Sequence, residues 1–423
     1  MKIKYFALIL FFNYSLSQNS SEYISELKKI TDVMVYDVTS PVAAARYYSY
    51  INLTAYEILA LNSTDYQSFS KFSNFKIKKN NKLIKPINKH AFIYGILFTG
   101  SKILPSGNKL QNSRDFYKSK LTSEEISIVE NIANQILDFS SNDGFFQLNN
   151  LKRYTPKRGL GFWQPTPPTF MSAVEPNWNT MKTFFIHSSD QFLTNKPVPF
   201  NIDKGSNFYN LTMEVKNVIE ENDTEKNEIA AFWDCNPYAI SQIGHIEFGL
   251  KQLSPGAHWI GIAGIACLKE KISFEKTILV HTLLSMTLHD SFIACWDEKY
   301  RSNRIRPETV INKYFDPSWK PLLQTPPFPE FVSGHSVIST AAGEILTKFF
   351  GDKFKFKDKT QNEFNLKPRK YKSFRAAAQE ACISRLYGGI HFMDAIDDGA
   401  WQGKKVADFI LEKSSVHLNF NLK

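Results

Sequence analysis

Three short segments in the last third of the chain hold residue types that could do chemistry on an anion. The first is Lys299 to Pro307, where four cations stand within eight residues: Lys299, Arg301, Arg304 and Arg306. An arginine offers a planar fork that matches two oxygens of a tetrahedral anion, and a lysine supplies a mobile point charge. A basic run by itself is usually a solvated loop, so this segment indicates an anion site only in combination with others.

The second segment, Phe328–Ser336, contains Ser333-Gly334-His335 directly before an apolar stretch with helical spacing. Ser333 or Ser336 can cap that helix, and free backbone amides around Gly334 would face a bound anion. His335 would then lie beside the anion as a proton donor or acceptor.

The third segment contains Ser384-Arg385, the pair Gly388-Gly389 and His391. The glycines permit a turn and a close approach of the backbone to a ligand. An acid after His391 could accept a hydrogen bond from its far ring nitrogen and so fix the tautomer. The candidates for this acid are Asp394, Asp397 and Asp398. Each histidine alone is typical of ordinary packing, but the lysine, arginines, Ser-Gly pair and two histidines together predict one oxyanion pocket.

The elements that must position these residues are helices. Apolar residues recur at helical spacing through most of the chain, strand-like alternation is sparse, and no repeat of 20–50 residues is present. We therefore predict an all-α fold of two packed helical bundles. Helices are predicted over Pro41–Leu61, Lys89–Ile103, Thr122–Phe139, Asn210–Glu221, Glu225–Phe248, Trp259–Lys269, Phe274–Trp296, Val337–Phe350, Lys372–Tyr387 and Gly399–Leu411.

Two segments interrupt this helical pattern. Tyr154–Asn177 holds five prolines and two glycines, so we predict a long irregular segment whose aromatic residues pack over a site entrance. Asn195–Ser206 is a second break, and we place the main boundary there. The predicted regions are a signal peptide at 1–17, an N-terminal helical region at 18–200 and a C-terminal helical region at 201–423 that contains the three segments.

The composition excludes a disordered chain and points to a small anionic partner. Hydrophobic residues make up 43% of the chain, which is enough to bury a large core. The formal net charge is +10, but the lysines are scattered and no zinc-finger or RNA-binding signature is present. We therefore expect no nucleic-acid partner. The four cysteines lie far apart, and we expect buried free thiols rather than disulfides.

The N-terminus has the pattern of a secretory signal peptide. Lys2 and Lys4 precede the apolar run Tyr5–Phe12, and Ser15-Leu16-Ser17 is a small-x-small cleavage pattern. The alternative is a buried first helix. No later stretch reaches the roughly 18 consecutive apolar residues of a membrane span, so we expect none after signal removal. The predicted location is the periplasm or the cell exterior, and oligomer formation stays open.

At these three segments the chain resembles the superfamily of vanadium-dependent haloperoxidases and type 2 phosphatidic acid phosphatases. That superfamily has the pattern K-x6-R-P, then P-S-G-H, then S-R-x5-H. Here Lys299 to Arg306-Pro307 matches the first element, Ser333-Gly334-His335 the second and Ser384-Arg385 with His391 the third. Val332 stands where the family usually has proline. The resemblance is specific over about residues 225–400, and the N-terminal half is similar to the longer, haloperoxidase-type members.

Three further positions bear on which branch the chain resembles. Trp296 and Phe328 occupy the positions of two aromatic residues that line the halide side in the haloperoxidase branch, although ordinary core packing would also explain them. In the phosphatase branch an aspartate follows the last histidine by four positions. Here that position is Ala395, and the acid is Asp394.

The resemblance implies vanadate as prosthetic group, with hydrogen peroxide and halide as substrates and hypohalous acid as product. It implies that His391 binds vanadium and that His335 takes a proton from the arriving peroxide. Lys299 would also polarise that peroxide. The residues implied to neutralise the vanadate oxygens are Lys299, Arg306, Ser333, Gly334 and Arg385.

Two alternatives use the same pocket differently. One is hydrolysis of phosphate monoesters, in which His391 would form a phosphohistidine and His335 would protonate the leaving group. The other is a non-catalytic exported protein that binds an oxyanion, which needs the cations but not the two histidines. The sequence does not determine the halide or the final organic acceptor.

Overall fold

The computed structural model describes residues 20–78, 86–243, 246–249 and 252–422. Within these ranges the fold is almost entirely helical, which confirms the predicted all-α class. Five short 3-10 helices and two small antiparallel sheets of two strands each complete the regular structure of the described residues. The predicted signal peptide at 1–17 lies outside the described residues.

The helices are numbered in chain order. They are α1 (residues 20–36), α2 (Pro41–Asn62), α3 (His90–Ile103), α4 (Gln111–Lys118), α5 (Ser123–Ser141), α6 (Asn207–Glu221), α7 (Thr224–Phe232), α8 (Pro255–Glu270), α9 (Phe274–Ser302), α10 (Pro307–Tyr314), α11 (Gly334–Phe350), α12 (Phe374–Tyr387) and α13 (Met393–Ser415). The strands β1 (Ile240–Ile243) and β2 (Ile246–Gly249) form one hairpin, and β3 (Phe356–Asp358) pairs with β4 (Arg369–Tyr371).

Helix α9 is the central element of the core. Its apolar residues lie on all sides of the helix, which is typical of a helix that is buried all round. It packs against α2, α8, α11 and α13. In the described part of the chain it is the one helix long and apolar enough to cross a membrane, and that apolar stretch is wholly buried inside the protein. Its position in the core carries Trp296 and Lys299 into the interior.

Most predicted helices are present with shifted ends, and one prediction was wrong. The helix predicted over Glu225–Phe248 stops at Phe232, and the chain continues through an irregular loop into the hairpin β1–β2. Pro237 explains the break, since it lacks an amide donor and disfavours a helical residue before it. Helix α9 runs past Trp296 to Ser302, where Asn303 adopts the left-handed conformation that ends it. Lys299 therefore lies on a helix rather than on a loop.

The other local expectations agree with the structure. The helix predicted from Thr122 begins there as α5, and Thr122 and Glu125 form a reciprocal capping box at its start. The proline-rich segment is irregular as predicted, and it crosses the C-terminal end of α9, where the Val174 carbonyl accepts hydrogen bonds from Trp296 and Tyr300. The boundary predicted near residue 200 stays a prediction. One apolar core cluster includes residues from both sides of it.

A buried ion pair in the N-terminal region yields the first testable prediction. Arg46 donates from Nε to Asp143 at 2.6 Å, Tyr50 donates to the same carboxylate at 2.9 Å, and both charged side chains are buried. Asp143→Ala should lower the free energy of unfolding by about 3–5 kcal/mol, because it leaves a buried guanidinium without its counter-charge. Urea unfolding measures this change.

The matched control for this prediction is Asp408→Ala. Asp408 pairs with Lys404, and both side chains are about half exposed. We expect a change within about 0.5 kcal/mol, since exposed ion pairs contribute little. Equal effects of the two substitutions would contradict a stabilising role for the buried pair.

Candidate active site

The N-terminus of α11 carries the Ser-Gly-His segment. Ser333 is its cap, with Oγ accepting from the Ser336 amide at 3.3 Å, so Ser333 and not Ser336 performs the predicted capping. Gly334 is the first helical residue. A Cβ at this position would lie 3.8 Å from the Trp296 ring and 3.9 Å from Lys299 Cε, which places the first two segments side by side.

Arg306 joins all three segments. Its Nε donates to the Phe328 carbonyl at 2.9 Å, and its Nη1 donates to the Ile390 carbonyl at 2.9 Å and contacts His391 Nε2 at 3.2 Å. The remaining Nη2 is buried and has no hydrogen-bond partner among the described residues. Burial lowers the pKa of this guanidinium to about 10. A buried cationic donor without an acceptor is costly unless an anion supplies one.

The acid that supports His391 is Glu330, which the sequence did not predict. His391 Nδ1 lies 2.8 Å from Glu330 Oε1, and the same oxygen accepts from the Phe392 amide at 3.0 Å. Because a carboxylate accepts, Nδ1 carries the proton and Nε2 keeps its lone pair towards Arg306. Burial raises the pKa of Glu330, and Arg304, Arg306 and Lys299 oppose that rise. The pair therefore holds His391 in one tautomer.

The three aspartates proposed for this role were the wrong choice. Asp394 instead accepts from Arg304 at 2.7 Å, and Asp398 accepts from Asn195 at 3.1 Å. Asp397 lies in a groove on the other side of α13 from the site, beside Met393 and Trp401. The reason is geometric, since α13 begins at Met393 and carries these side chains away from the ring. A signal for Glu330 existed, because it is a lone acid inside the apolar stretch Phe328–Val332.

Lys299 is fully buried beside the cavity. Its Nζ donates to the carbonyls of Pro329 at 3.1 Å and Glu330 at 3.0 Å, and also to that of Val332. Burial lowers its pKa to about 7, and the Arg306 charge acts in the same direction. Lys299 thus orders the loop before α11 and places a positive charge next to it.

Arg385 and His335 both line the cavity. Arg385 donates to Ser384 Oγ at 3.0 Å and to the Trp233 carbonyl at 2.8 Å, which connects α12 to the end of α7. His335 Nε2 is a buried nitrogen without a partner in the described part of the protein. Burial, followed by the nearby Arg385 charge, holds the pKa of His335 well below its usual range. His335 is therefore neutral and can accept a proton.

These side chains surround one cavity. The cavity has a volume of about 40 Å³, which is enough for a few water-sized molecules. The predicted residues that line it are Trp296, Phe328, Gly334, His335, Arg385 and His391. Three predicted residues do not line the cavity but adjoin residues that do. Arg306 contacts His391, Lys299 lies beside Gly334, and Ser333 directly precedes Gly334. The Trp296 and Phe328 rings pack 5.1 Å apart and form an apolar side.

Two cations of the first segment do not reach the cavity. Arg301 is half exposed and pairs with Asp297 and Glu298 on its own helix. Arg304 is buried but pairs with Asp394 and lies 3.5 Å from Glu330. The loop Asp234–Tyr238 also lines the cavity, and the sequence had assigned it to a helix.

The site has the character of an anion site rather than a cation site. Among residues 20–78, 86–243, 246–249 and 252–422, no group of three or more His, Cys, Asp or Glu side chains is placed to hold a metal cation. Burial and the nearby Arg306 and Lys299 charges hold the pKa of His391 well below its usual range. A neutral imidazole beside partly desolvated cations suits an oxyanion that is ligated by one ring nitrogen.

The fold and this pocket place the protein among all-helical proteins with a buried cavity surrounded by cationic side chains. Residues 279–419 match the family model of the VCPO second helical-bundle domain. The structure of a bacterial vanadium-dependent iodoperoxidase is similar over 94% of this chain and 96% of its own, with 38% sequence identity and a TM-score of 0.86. The chain belongs to the vanadium-dependent haloperoxidase family, as the resemblance predicted.

More distant structures share the fold. The holo form of a bacterial vanadium-dependent chloroperoxidase has a TM-score of 0.67 at 13% identity, over 90% of this chain and 93% of that one. Its apo form has a TM-score of 0.66 at 14% identity, over 89% and 95%. A search of curated protein sequences found no match.

Proposed function

We propose that this protein uses vanadate to oxidise halide with hydrogen peroxide, releasing hypohalous acid. The observation that carries the proposal is the pair of buried, unpartnered nitrogens, Arg306 Nη2 and His335 Nε2, beside the lone pair of His391 Nε2. A tetrahedral oxyanion in this cavity would give the two nitrogens their partners. The iodoperoxidase relative, at 38% identity over most of both chains, supports iodide as one substrate.

The donor set fits vanadate. His391 Nε2 would bind vanadium, while Arg306, Arg385 and the Gly334 amide would donate to the oxygens. The oxygens would also gain from the buried Lys299 charge, although its hydrogen bonds go to carbonyls. Bound vanadate supplies a Lewis acid that activates peroxide without a change of oxidation state at the metal.

The residues of the chain supply the proton and the shape of the site. Neutral His335 takes a proton at Nε2 from the arriving peroxide. Glu330 keeps the proton of His391 on Nδ1, so Nε2 keeps the lone pair with which it would bind vanadium. Trp296 and Phe328 form a wall without hydrogen-bond acceptors on their faces, which suits a weakly hydrated halide and excludes water from the reacting atoms.

Phosphate ester hydrolysis is the second candidate for the same pocket. A phosphohistidine intermediate requires a histidine whose second ring nitrogen is hydrogen-bonded to a carboxylate. The contact between His391 Nδ1 and Glu330 meets this requirement, so it is compatible with phosphate ester hydrolysis as well. The 38% identity to an iodoperoxidase favours peroxidation. A non-catalytic oxyanion-binding protein would show neither reaction.

One preparation tests the three candidates. The purified protein is assayed with peroxide and iodide, bromide or chloride, with and without added vanadate, and separately with p-nitrophenyl phosphate. We expect vanadate-dependent peroxidation that is fastest with iodide, because iodide is the halide that is easiest to oxidise. Ester hydrolysis without peroxidation would support the phosphatase instead, and binding without turnover would support the non-catalytic protein.

We further propose that the protein is exported to the periplasm or the cell exterior. The basic, apolar and small-x-small pattern of residues 1–17 supports this location. Mass spectrometry of the protein from its native cell should find a mature N-terminus at Gln18. A mature chain that still begins at Met1 would contradict export.

A further inference from the structure

A second cluster of reactive groups opens onto the same cavity and has no part in holding the oxyanion. Cys235 lines the cavity. Its sulfur lies 3.5 Å from His258 Nδ1, and His258 Nε2 lies 2.7 Å from Asp358 Oδ2. The three side chains therefore form a thiol–imidazole–carboxylate relay, which three separate elements bring together.

The surroundings hold this relay in place. Cys235 follows α7, His258 lies in the first turns of α8, and Asp358 ends β3. The His258 ring stacks on the Trp233 ring at 4.5 Å, and Thr360 donates to Asp358 from its amide at 2.9 Å and its hydroxyl at 2.7 Å. His258 and Asp358 are fully buried. Gln361 Nε2 also lies 3.6 Å from the Cys235 sulfur and 3.2 Å from His258 Nδ1, so it packs against both groups where they meet.

The electrostatics make His258 a cation. Burial alone would lower the pKa of His258, but the charge of Asp358 and the neighbouring Cys235 raise it to about 10. For Asp358, burial alone would raise the pKa, but His258 and the Thr360 hydrogen bonds lower it. A histidine in contact with a cysteine sulfur can act as the acid and base for that sulfur, which is how an imidazole assists a cysteine nucleophile.

The other three cysteines lack this environment and serve as internal controls. Burial raises the pKa of Cys267 and Cys382, and it raises that of Cys295 to about 11. The sulfur of Cys382 contacts the Thr340 hydroxyl at 3.7 Å, whereas the sulfur of Cys235 contacts the His258 ring. All four thiols are free and buried, as the sequence predicted.

We propose that Cys235 is a peroxide-oxidation site, at which hydrogen peroxide in the cavity converts the thiolate to a sulfenic acid. The sulfur attacks one peroxide oxygen, so an S–O bond forms and the O–O bond breaks. Sulfur loses two electrons and peroxide is reduced to water, with His258 giving its Nδ1 proton to the departing hydroxide. The balance is thiolate plus imidazolium plus peroxide to sulfenic acid plus neutral imidazole plus water.

This reaction goes beyond the haloperoxidase activity and needs neither vanadate nor halide. It uses only the peroxide that the family already consumes. The test therefore treats the purified full chain with hydrogen peroxide alone, traps sulfenic acid with dimedone and measures each cysteine separately by mass spectrometry. We expect Cys235 to be labelled at least about 10-fold faster than Cys267, Cys295 or Cys382, because it lines the cavity and contacts His258.

Variants test the relay itself. Asp358→Asn should slow labelling of Cys235 by at least about 10-fold, because His258 loses the charge that keeps it protonated. Asp352→Asn is the matched control, since Asp352 is an exposed acid on the same stretch before β3 and should change nothing. Thermal melting checks that both variants fold. If Cys235 in the parent protein reacts no faster than the three controls, or if folded Asp358→Asn reacts like the parent, the proposal is overturned.

Discussion

Replacing His391 with alanine is expected to reduce vanadate-dependent halide peroxidation by about 10²- to 10⁴-fold, the range seen when a positioned imidazole is removed. The imidazole presents Nε2 beside Arg306, and alanine offers no lone pair there. The backbone around position 391 should hold, because Glu330 still accepts from the Phe392 amide. Initial rates with iodide and peroxide measure the loss, and circular dichroism checks the fold.

The control for this prediction is His187→Ala. His187 is exposed and packs against the Phe409 ring, away from the cavity. We expect a rate within about 2-fold of the parent, as for surface substitutions that remove no special interaction. Vanadate affinity, measured by titration, should fall for His391→Ala and stay constant for His187→Ala. A His391→Ala protein that keeps most of its rate would remove His391 from the reaction.

The second large effect is expected from Glu330→Gln. We expect vanadate affinity and turnover to fall by about 10- to 100-fold, the range for a residue that orients a metal-binding histidine. Glutamine keeps the size and can still accept from the Phe392 amide. That same oxygen faces His391 Nδ1, but a neutral amide is a weaker acceptor than a carboxylate, so it fixes the tautomer and the orientation of the ring less firmly.

Matched controls separate this role from a general effect of removing acids. Asp397→Asn and Asp398→Asn change two of the three aspartates that follow His391 in sequence and do not contact its ring, and each should change the rate by less than about 2-fold. Glu330→Ala should in addition lower the free energy of unfolding by about 1–3 kcal/mol, because it leaves the buried His391 Nδ1 and the Phe392 amide without their acceptor. A normal vanadate affinity in folded Glu330→Gln would show that Glu330 does not position His391.

Much of the fold was readable from local sequence because helices are made from local contacts. The capping box at Thr122 and the apolar stretch of α9 predict their helices without knowledge of any neighbour. The helix predicted over Glu225–Phe248 was wrong because contacts to distant residues, not local ones, determine the path of the chain there. Its apolar residues have helical spacing, but the loop around Pro237 is held by contacts to the distant Arg385 and Gln324.

The active site likewise combines features that local sequence predicts with features that depend on long-range contacts. Residue types and spacing determined the chemistry: cations with forked donors, a capped helix start and two imidazoles predict an oxyanion pocket wherever they meet. Only the tertiary structure decided which acid meets His391, that Lys299 is held by three carbonyls, and that Cys235, His258 and Asp358 share one relay. Spacing along a chain constrains neighbours within a helix turn or two, whereas contacts across many residues depend on how whole helices pack and on the direction in which each side chain leaves its helix.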